Sequence, residues 1–146
     1  MDGASRPGYD ERMVESGTPQ RPAPGSGSSI LVVDDEQVVR RALQRILERD
    51  GHVVVVAEGA REALEIFGQR WRDLSLVILD VMMPDVDGRE VLRRMREVNP
   101  EVRAILSSGF TVDGDPSLTT AGAVLLQKPY TPDDVRSAIA EALAAK

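Results

Sequence analysis

The sequence has no cysteine, few aromatic residues and no long hydrophobic run. Without cysteine the chain has no disulfide framework, no thiol nucleophile and no thiolate metal ligand. Apolar runs such as VVVVA at 53–57 are far shorter than the roughly 20 residues that span a bilayer, and the N-terminus lacks the basic and apolar regions of a secretory signal. These absences exclude a disulfide-stabilised secreted protein and a membrane-spanning one, so we expect a cytoplasmic protein.

The chain also lacks an excess of positive charge. Its formal net charge is -6, and its arginines are interspersed with glutamates in segments whose spacing predicts exposed helix faces, so direct nucleic-acid binding is not expected. A length of 146 residues suits one domain with a substantial core. Residues 1–29 contain almost nothing apolar, which predicts a disordered tail or linker before a folded domain at 30–146.

Short apolar segments alternate with amphipathic helical patterns from Ile30 onward. The intervening patterns predict about five helices, of which the one within 111–123 should be short because that segment has few good helix formers. Apolar strands alternating with helices predict a doubly wound α/β fold, a five-stranded parallel sheet in a flavodoxin-like three-layer sandwich. The predicted strands cover 30–34, 53–57, 74–80, 102–108 and 123–127.

Two of the predicted helices carry recognisable start signals. Asp87 followed by Glu90 resembles a capping box, in which each side chain would bond to the other residue's amide. Thr131 followed by Pro132 places proline at the first helical position.

Polar side chains end four of the five predicted strands, and the carboxyl ends of parallel strands open on one crevice. Three carboxylates in a partly desolvated crevice repel one another unless a cation lies among them, and all-oxygen ligands favour Mg²⁺. A carboxylate beside a hard cation and a lysine is a competent nucleophile for a phosphoryl group, which would make Asp80 an aspartyl phosphate with Ser108 as a hydroxyl donor. The strand-ending residues are Asp34 and Asp35, Asp80, Ser107 and Ser108, and Lys128.

Four short motifs, taken in order, resemble those of the response regulator receiver domain of two-component signalling. The resemblance implies a protein that takes a phosphoryl group onto Asp80 from the phosphohistidine of a histidine kinase or phosphotransfer domain. It further implies a switch in affinity for an unidentified downstream protein, so the chain would be a phosphorylation substrate and not an enzyme. The motifs are VVDDE at 32–36, LDVMMPDVDG at 79–88, ILSSGF at 105–110 and QKPY at 127–130.

The same resemblance assigns roles to individual residues. Ser108 and Lys128 would bind the phosphoryl group and switch, and the bond from Lys128 to Pro129 would be cis. Leu125 stands where many family members carry a switch Tyr or Phe, so a coupled aromatic rotation is not available. For Mg²⁺ it implies direct binding by Asp35, Asp80 and the backbone carbonyl of Met82, and binding by Asp34 mostly through water.

The residues SSGF at 107–110 and LLQKPY at 125–130 are similar to those of receivers attached to hybrid histidine kinases. This resemblance implies a single-domain regulator or the receiver of a larger kinase. The resemblance also implies kinase docking on the first helix, whose exposed side includes Arg41, Gln44 and Arg45. Apolar bulk at Met82 and Phe110 implies slow loss of the phosphoryl group by hydrolysis.

Two other functions share the predicted fold. A flavin-binding protein would need a Ser/Thr/Gly-rich phosphate loop after its first strand, whereas DDEQ at 34–37 would repel a phosphate. A phosphorylation-independent interaction module would keep the fold and bind its partner regardless of Asp80. The convergence of three carboxylates, a hydroxyl and a lysine favours the phosphoacceptor interpretation over both.

Overall fold

Five parallel strands form the centre of the structure, a computed structural model that describes residues 28–109 and 122–144. The described strands are β1 (Ser29–Val33), β2 (Val53–Ala57), β3 (Leu76–Asp80), β4 (Ala104–Ser108) and β5 (Val124–Gln127). The described helices are α1 (Gln37–Arg49), α2 (Ala60–Arg70), α3 (Gly88–Val98) and α4 (Pro132–Ala144), and a short 3₁₀ turn covers Trp71–Asp73. The predicted fold class is confirmed.

The strand order across the sheet is β2-β1-β3-β4-β5, and every neighbouring pair is parallel. The order reverses between β1 and β3, because β1 connects through α1 to one side and β3 continues to the other. A doubly wound sheet opens a crevice at this reversal, beyond the carboxyl ends of the strands. The ends of β1 and β3 therefore lie side by side at the position where a ligand site is expected.

Alternate residues of each strand pack against opposite faces of the sheet, as the two-residue period of a strand requires. In β1, Ile30 and Val32 join the apolar cluster covered by α1 and α4, whereas Leu31 and Val33 join the cluster covered by α2 and α3. All four side chains are almost completely buried. The near-continuous apolar strands of the sequence are thus explained by a sheet with helices on both faces.

The capping box lies at α4 and not, as predicted, at α3. Asp87 does cap α3, but its side chain accepts from the Arg89 amide at 2.7 Å, and Glu90 pairs with arginines of its own helix instead of returning to Asp87. At α4 the Asp134 amide donates to Thr131 Oγ1 at 3.1 Å and the Thr131 amide donates to Asp134 Oδ2 at 2.8 Å. Pro132 is the first residue of α4, as predicted.

Several sequence predictions fall partly or wholly outside the described residues. These are the tail at 1–29 apart from its last two residues, the short helix within 111–123, and Phe110. The Lys128–Pro129 bond is cis, as predicted. Across residues 28–109 and 122–144 there is no helix with the length and apolar character needed to cross a membrane.

Both ends of the described chain lie at the edge of the sheet where the strands begin. Ser28 leads into β1 there, and it is held by a bond from its amide to His52 Nδ1 at 2.9 Å and by a bond from the Val53 amide to its carbonyl at 2.9 Å. Helix α4 follows β5 and packs back along the sheet, so it returns from the carboxyl ends of the strands towards their amino ends.

Candidate functional site

Three carboxylates meet at the carboxyl ends of β1 and β3. Asp34 and Asp80 are only 2% and 3% exposed, whereas Asp35 is exposed. One oxygen from each of the three side chains lies within 4.8 Å of the others. The predicted convergence of Asp34, Asp35 and Asp80 is therefore present in the fold, and two of the three charges are held almost out of contact with water.

Asp34 is fixed by hydrogen bonds to all of its polar groups. Its amide donates to the Ala57 carbonyl at 3.2 Å, which extends the β1–β2 ladder by one residue. Its carboxylate accepts from the Glu36 amide at 2.9 Å and from Lys128 Nζ at 3.1 Å, and its carbonyl accepts from Arg40 Nη1 at 2.7 Å. A buried charge needs partners of this kind, because an unpaired one costs several kcal/mol.

Lys128 brings one positive charge to the carboxylates. Its ammonium nitrogen lies 3.1 Å from Asp34 Oδ2, 3.5 Å from Asp80 Oδ2 and 3.5 Å from Glu36 Oε1, and the side chain is 17% exposed. Burial alone would lower the pKa of Lys128, but the charges of Asp34, Asp80 and Glu36 outweigh it, so the pKa lies above its usual value. The lysine is therefore a permanent cation in the site at neutral pH.

The charged form of Asp80, the last residue of β3, is disfavoured by its surroundings, whereas that of Lys128 is favoured. Burial, followed by the charge of Asp34, raises the pKa of Asp80 to about 6, although Lys128 and a hydrogen bond from the Met82 amide act in the opposite direction. The Met82 amide donates to Asp80 Oδ1 at 3.2 Å. At pH 7 the Asp80 side chain is still mainly ionised, as its predicted role as a nucleophile requires.

Ser108 and Met82, the remaining predicted site residues, also lie at this edge. Ser108 ends β4 and is fully buried, and its carbonyl accepts from the Lys128 amide at 2.7 Å, so the serine and the lysine belong to adjoining backbone segments. Met82 follows β3 by two residues and its side chain is 54% exposed. The fold brings every predicted site residue to one edge of the sheet, while the role of each remains a prediction.

The loop after β3 is tied both to Asp80 and to a neighbouring helix. Asp85 Oδ2 accepts from the Ala60 amide at 3.2 Å, so Asp85 caps α2 from a different part of the chain. The Gly88 amide donates to the Val81 carbonyl at 2.9 Å. A Cβ atom at Gly88 would overlap the Asp80 carbonyl oxygen and lie 3.0 Å from Val81 Cα, so only glycine permits this close approach.

The sequence analysis missed Arg40, and it left Glu36 out of the site because an acidic residue just before a helix is explained by the helix dipole alone. Arg40 is only 8% exposed; besides its bond to the Asp34 carbonyl, it lies 3.9 Å from the Glu58 carboxylate. Its signal was present in the sequence, because Arg40, Leu43 and Leu47 share one buried stripe of α1 at helical spacing. For Glu36 the contact with Lys128 had no such signal, since it joins residues that are 92 positions apart.

The carboxylate cluster has the donor chemistry that suits a hard divalent cation. Mg²⁺ prefers oxygen ligands at about 2.0–2.1 Å, so two ligands of one ion lie at most about 4.2 Å apart. The three carboxylates lie close to that spacing, and one positive charge from Lys128 does not balance them. Asp34, Asp35 and Asp80 therefore fit Mg²⁺ in number, charge and ligand type.

A family model described as the response regulator receiver domain matches residues 30–140. Among curated relatives, the sensor kinase CckA of Brucella abortus is 34% identical over 121 residues, which are 81% of this chain and 13% of the kinase. The sporulation initiation phosphotransferase F of Bacillus subtilis is 30% identical over 80% of this chain and 94% of its own length. The response regulator MprA of Mycolicibacterium vanbaalenii is 37% identical over 73% of this chain but only 46% of its own.

Solved structures are similar over nearly their whole length. The receiver domain of a response regulator from Clostridium thermocellum superposes with a TM-score of 0.74 at 31% identity, covering 80% of this chain and 94% of that one. The response regulator TrrA of Thermotoga maritima, solved in complex with Mg²⁺-BeF, gives 0.71 at 31% identity, covering 80% and 99%.

Proposed function

The chain belongs to the response regulator receiver family of two-component signalling, and on that premise we propose that Asp80 is its phosphoacceptor. The observation that carries the proposal is the single site formed by Asp34, Asp35, Asp80 and Lys128 at the carboxyl ends of the strands. We further propose that residues 30–146 belong to the receiver domain, together with Ser28 and Ser29, which the structure joins to the sheet, and that the residues before them are a tail or linker. In this proposal the protein is a substrate and switch, not an enzyme, and its cytoplasmic location remains a prediction.

The proposed reaction is the transfer of a phosphoryl group between two side chains. An oxygen of the ionised Asp80 attacks the phosphorus of a phosphohistidine, a P–O bond forms, the P–N bond breaks, and the imidazole leaves with the bonding electron pair. Mg²⁺, when bound by the three aspartates and the Met82 carbonyl, supplies positive charge to the transferring oxygens. The buried and hydrogen-bonded Asp34 holds its part of the site in place before the donor arrives.

Lys128 and Ser108 are the proposed contacts for the transferred group. Phosphorylation places further oxygens within reach of the Lys128 ammonium, which lies 3.5 Å from Asp80 in the unmodified chain. The Ser108 hydroxyl would donate to another of these oxygens. Because the Lys128 amide is bonded to the Ser108 carbonyl, a movement of either residue is passed to the other and to β5, which is the basis of the proposed switch.

The proposed donor is a histidine kinase or phosphotransfer protein that docks on α1. Val38, at the start of that helix and two residues from Glu36, is 82% exposed, so the first turn of α1 presents an apolar side chain beside the acidic site. Arg41 and Arg45 are exposed on the same helix. The names of the relatives, a sensor kinase and a phosphotransferase, support this class of partner. The downstream protein is unidentified.

The test is the intact mass of the wild type and of Asp80→Asn after incubation with acetyl phosphate and Mg²⁺. A single phosphoryl adduct on the wild type, absent from Asp80→Asn and abolished by a chelator, is expected. If acetyl phosphate gives no adduct, a phosphorylated histidine phosphotransfer domain replaces it as donor. Failure with both donors, or labelling of Asp80→Asn, would refute the assignment.

A further inference from the structure

The Lys128 ammonium group has as many carboxylate neighbours as it has hydrogen-bond donors. A lysine carries three N–H donors and no acceptor. Asp34, Asp80 and Glu36 each place one oxygen within 3.5 Å of the nitrogen. In the unmodified chain Lys128 donates hydrogen bonds to Asp34 and Glu36, whereas its 3.5 Å contact with Asp80 is an ion pair without a hydrogen bond.

A phosphoryl group on Asp80 carries more negative charge than the carboxylate that it modifies, so it draws the Lys128 ammonium towards itself and away from Asp34 or Glu36. The contact with Asp34 is the shortest, at 3.1 Å, and both partners are largely buried, so breaking it would leave a buried charge with one partner fewer. The contact with Glu36 is longer, at 3.5 Å, and the Glu36 side chain is 61% exposed. Glu36 is therefore the partner that Lys128 releases at least cost, because water can replace the lost contact.

We propose that Glu36 is a positioning residue that competes with the phosphoryl group for Lys128 and so weakens binding of that group at the site. This inference rests on the proposed phosphoacceptor function. The Glu36 amide is bonded to Asp34 Oδ1 at 2.9 Å, so its backbone is fixed at the site while its side chain reaches across to β5. Glu36 also adds a negative charge near a group that itself carries roughly -1.5 to -2.

The size of the effect follows from the exposure of Glu36. Double-mutant measurements of exposed ion pairs correspond to about two- to fivefold changes in an equilibrium constant. We therefore expect Glu36→Gln, which keeps the shape and removes the charge, to bind a phosphoryl analogue two- to fivefold more tightly. The difference should shrink at high salt, because exposed charges are screened.

The probe is beryllofluoride, titrated in the presence of saturating Mg²⁺ and followed by ¹⁹F NMR, with Mg²⁺ alone titrated separately by calorimetry. Glu36→Gln should bind beryllofluoride more tightly and Mg²⁺ no more tightly than the wild type. General damage to the site would weaken both ligands, so the two titrations separate competition for Lys128 from misfolding. Glu48→Gln is the matched control, since Glu48 is exposed on α1 and bonds to Gln44 instead of the site.

Equal or weaker beryllofluoride binding by Glu36→Gln would overturn the inference. If the wild type is phosphorylated on Asp80 and binds beryllofluoride, that result leaves the phosphoacceptor function intact and removes only the role of Glu36. If the wild type neither binds beryllofluoride nor gains a phosphoryl adduct from either donor, both proposals fail together.

Discussion

Replacing Gly88 with alanine tests how closely the start of α3 is held against the strand that carries Asp80. The added Cβ would overlap the Asp80 carbonyl oxygen and lie 3.0 Å from both Asp80 C and Val81 Cα. These are backbone atoms, so the strand or the helix must shift. Overpacking costs about 1–3 kcal/mol, and alanine regains up to about 1 kcal/mol through helix propensity. Because backbone cannot rotate away, we expect the cost to exceed the gain by about 2 kcal/mol.

The assay is urea unfolding of Gly88→Ala beside Gly68→Ala, in the presence of a chelator. With a slope of about 2 kcal/mol per molar urea, the midpoint of Gly88→Ala should fall by about 1 M. Gly68 lies within α2 and an added Cβ there has no heavy atom within 4 Å, so the same substitution should stabilise by about 0.5–1 kcal/mol. A midpoint for Gly88→Ala at or above that of the wild type, with an unchanged slope, would refute the reasoning.

Further predictions concern the charged groups of the site. Asp80→Asn should stabilise the metal-free protein by up to about 3 kcal/mol at pH 7, because the fold raises the pKa of Asp80 from 3.8 to about 6 and so disfavours its charged form. The free energy of unfolding of the wild type should fall as pH rises from about 4 through 6, because Asp80 ionises there at a cost to the folded state. If the urea midpoints of the two proteins differ by the same amount at pH 4 and at pH 7, the raised pKa of Asp80 is not the cause of the difference. Arg40→Met should weaken Mg²⁺ binding about tenfold by calorimetry, because Arg40 donates a hydrogen bond to the backbone carbonyl of Asp34 and so holds that residue in place. Arg41→Met, at an exposed position of the same helix, should not change Mg²⁺ binding. Lys128→Ala should still gain a phosphoryl adduct by mass but lose the phosphorylation-dependent change in partner affinity; complete loss of the adduct would count against a switching role.

The fold and the predicted site followed from local patterns because both depend on properties that a sequence records residue by residue. A strand buried on both faces is apolar throughout, as in 76–79, and a residue that ends such a strand lies at the edge of the sheet. Once β1 and β3 are neighbours, Asp34 and Asp80 must be close. The predicted strands differ from the observed ones only by one or two residues at their ends.

The features that the sequence did not reveal are contacts between distant residues. The Asp85 side chain caps α2 across 25 positions, and Glu36 reaches Lys128 across 92, so neither contact leaves a local period or a spacing. The capping box predicted at Asp87 was wrong because Glu90 pairs with Arg93 and Arg94 of its own helix. Side-chain competition of this kind is decided by three-dimensional proximity.

The positions of Ser28 and of the end of α4 determine where a receiver domain of this kind is attached to the rest of a longer protein. Both lie at the amino edge of the sheet, while the carboxylates lie at the opposite edge, a full strand length away. Both points of attachment are therefore far from Asp80. The same unit can accordingly form a small or a large share of a protein without its acidic crevice lying at the join, in keeping with relatives of which it matches 13%, 46% or 94%.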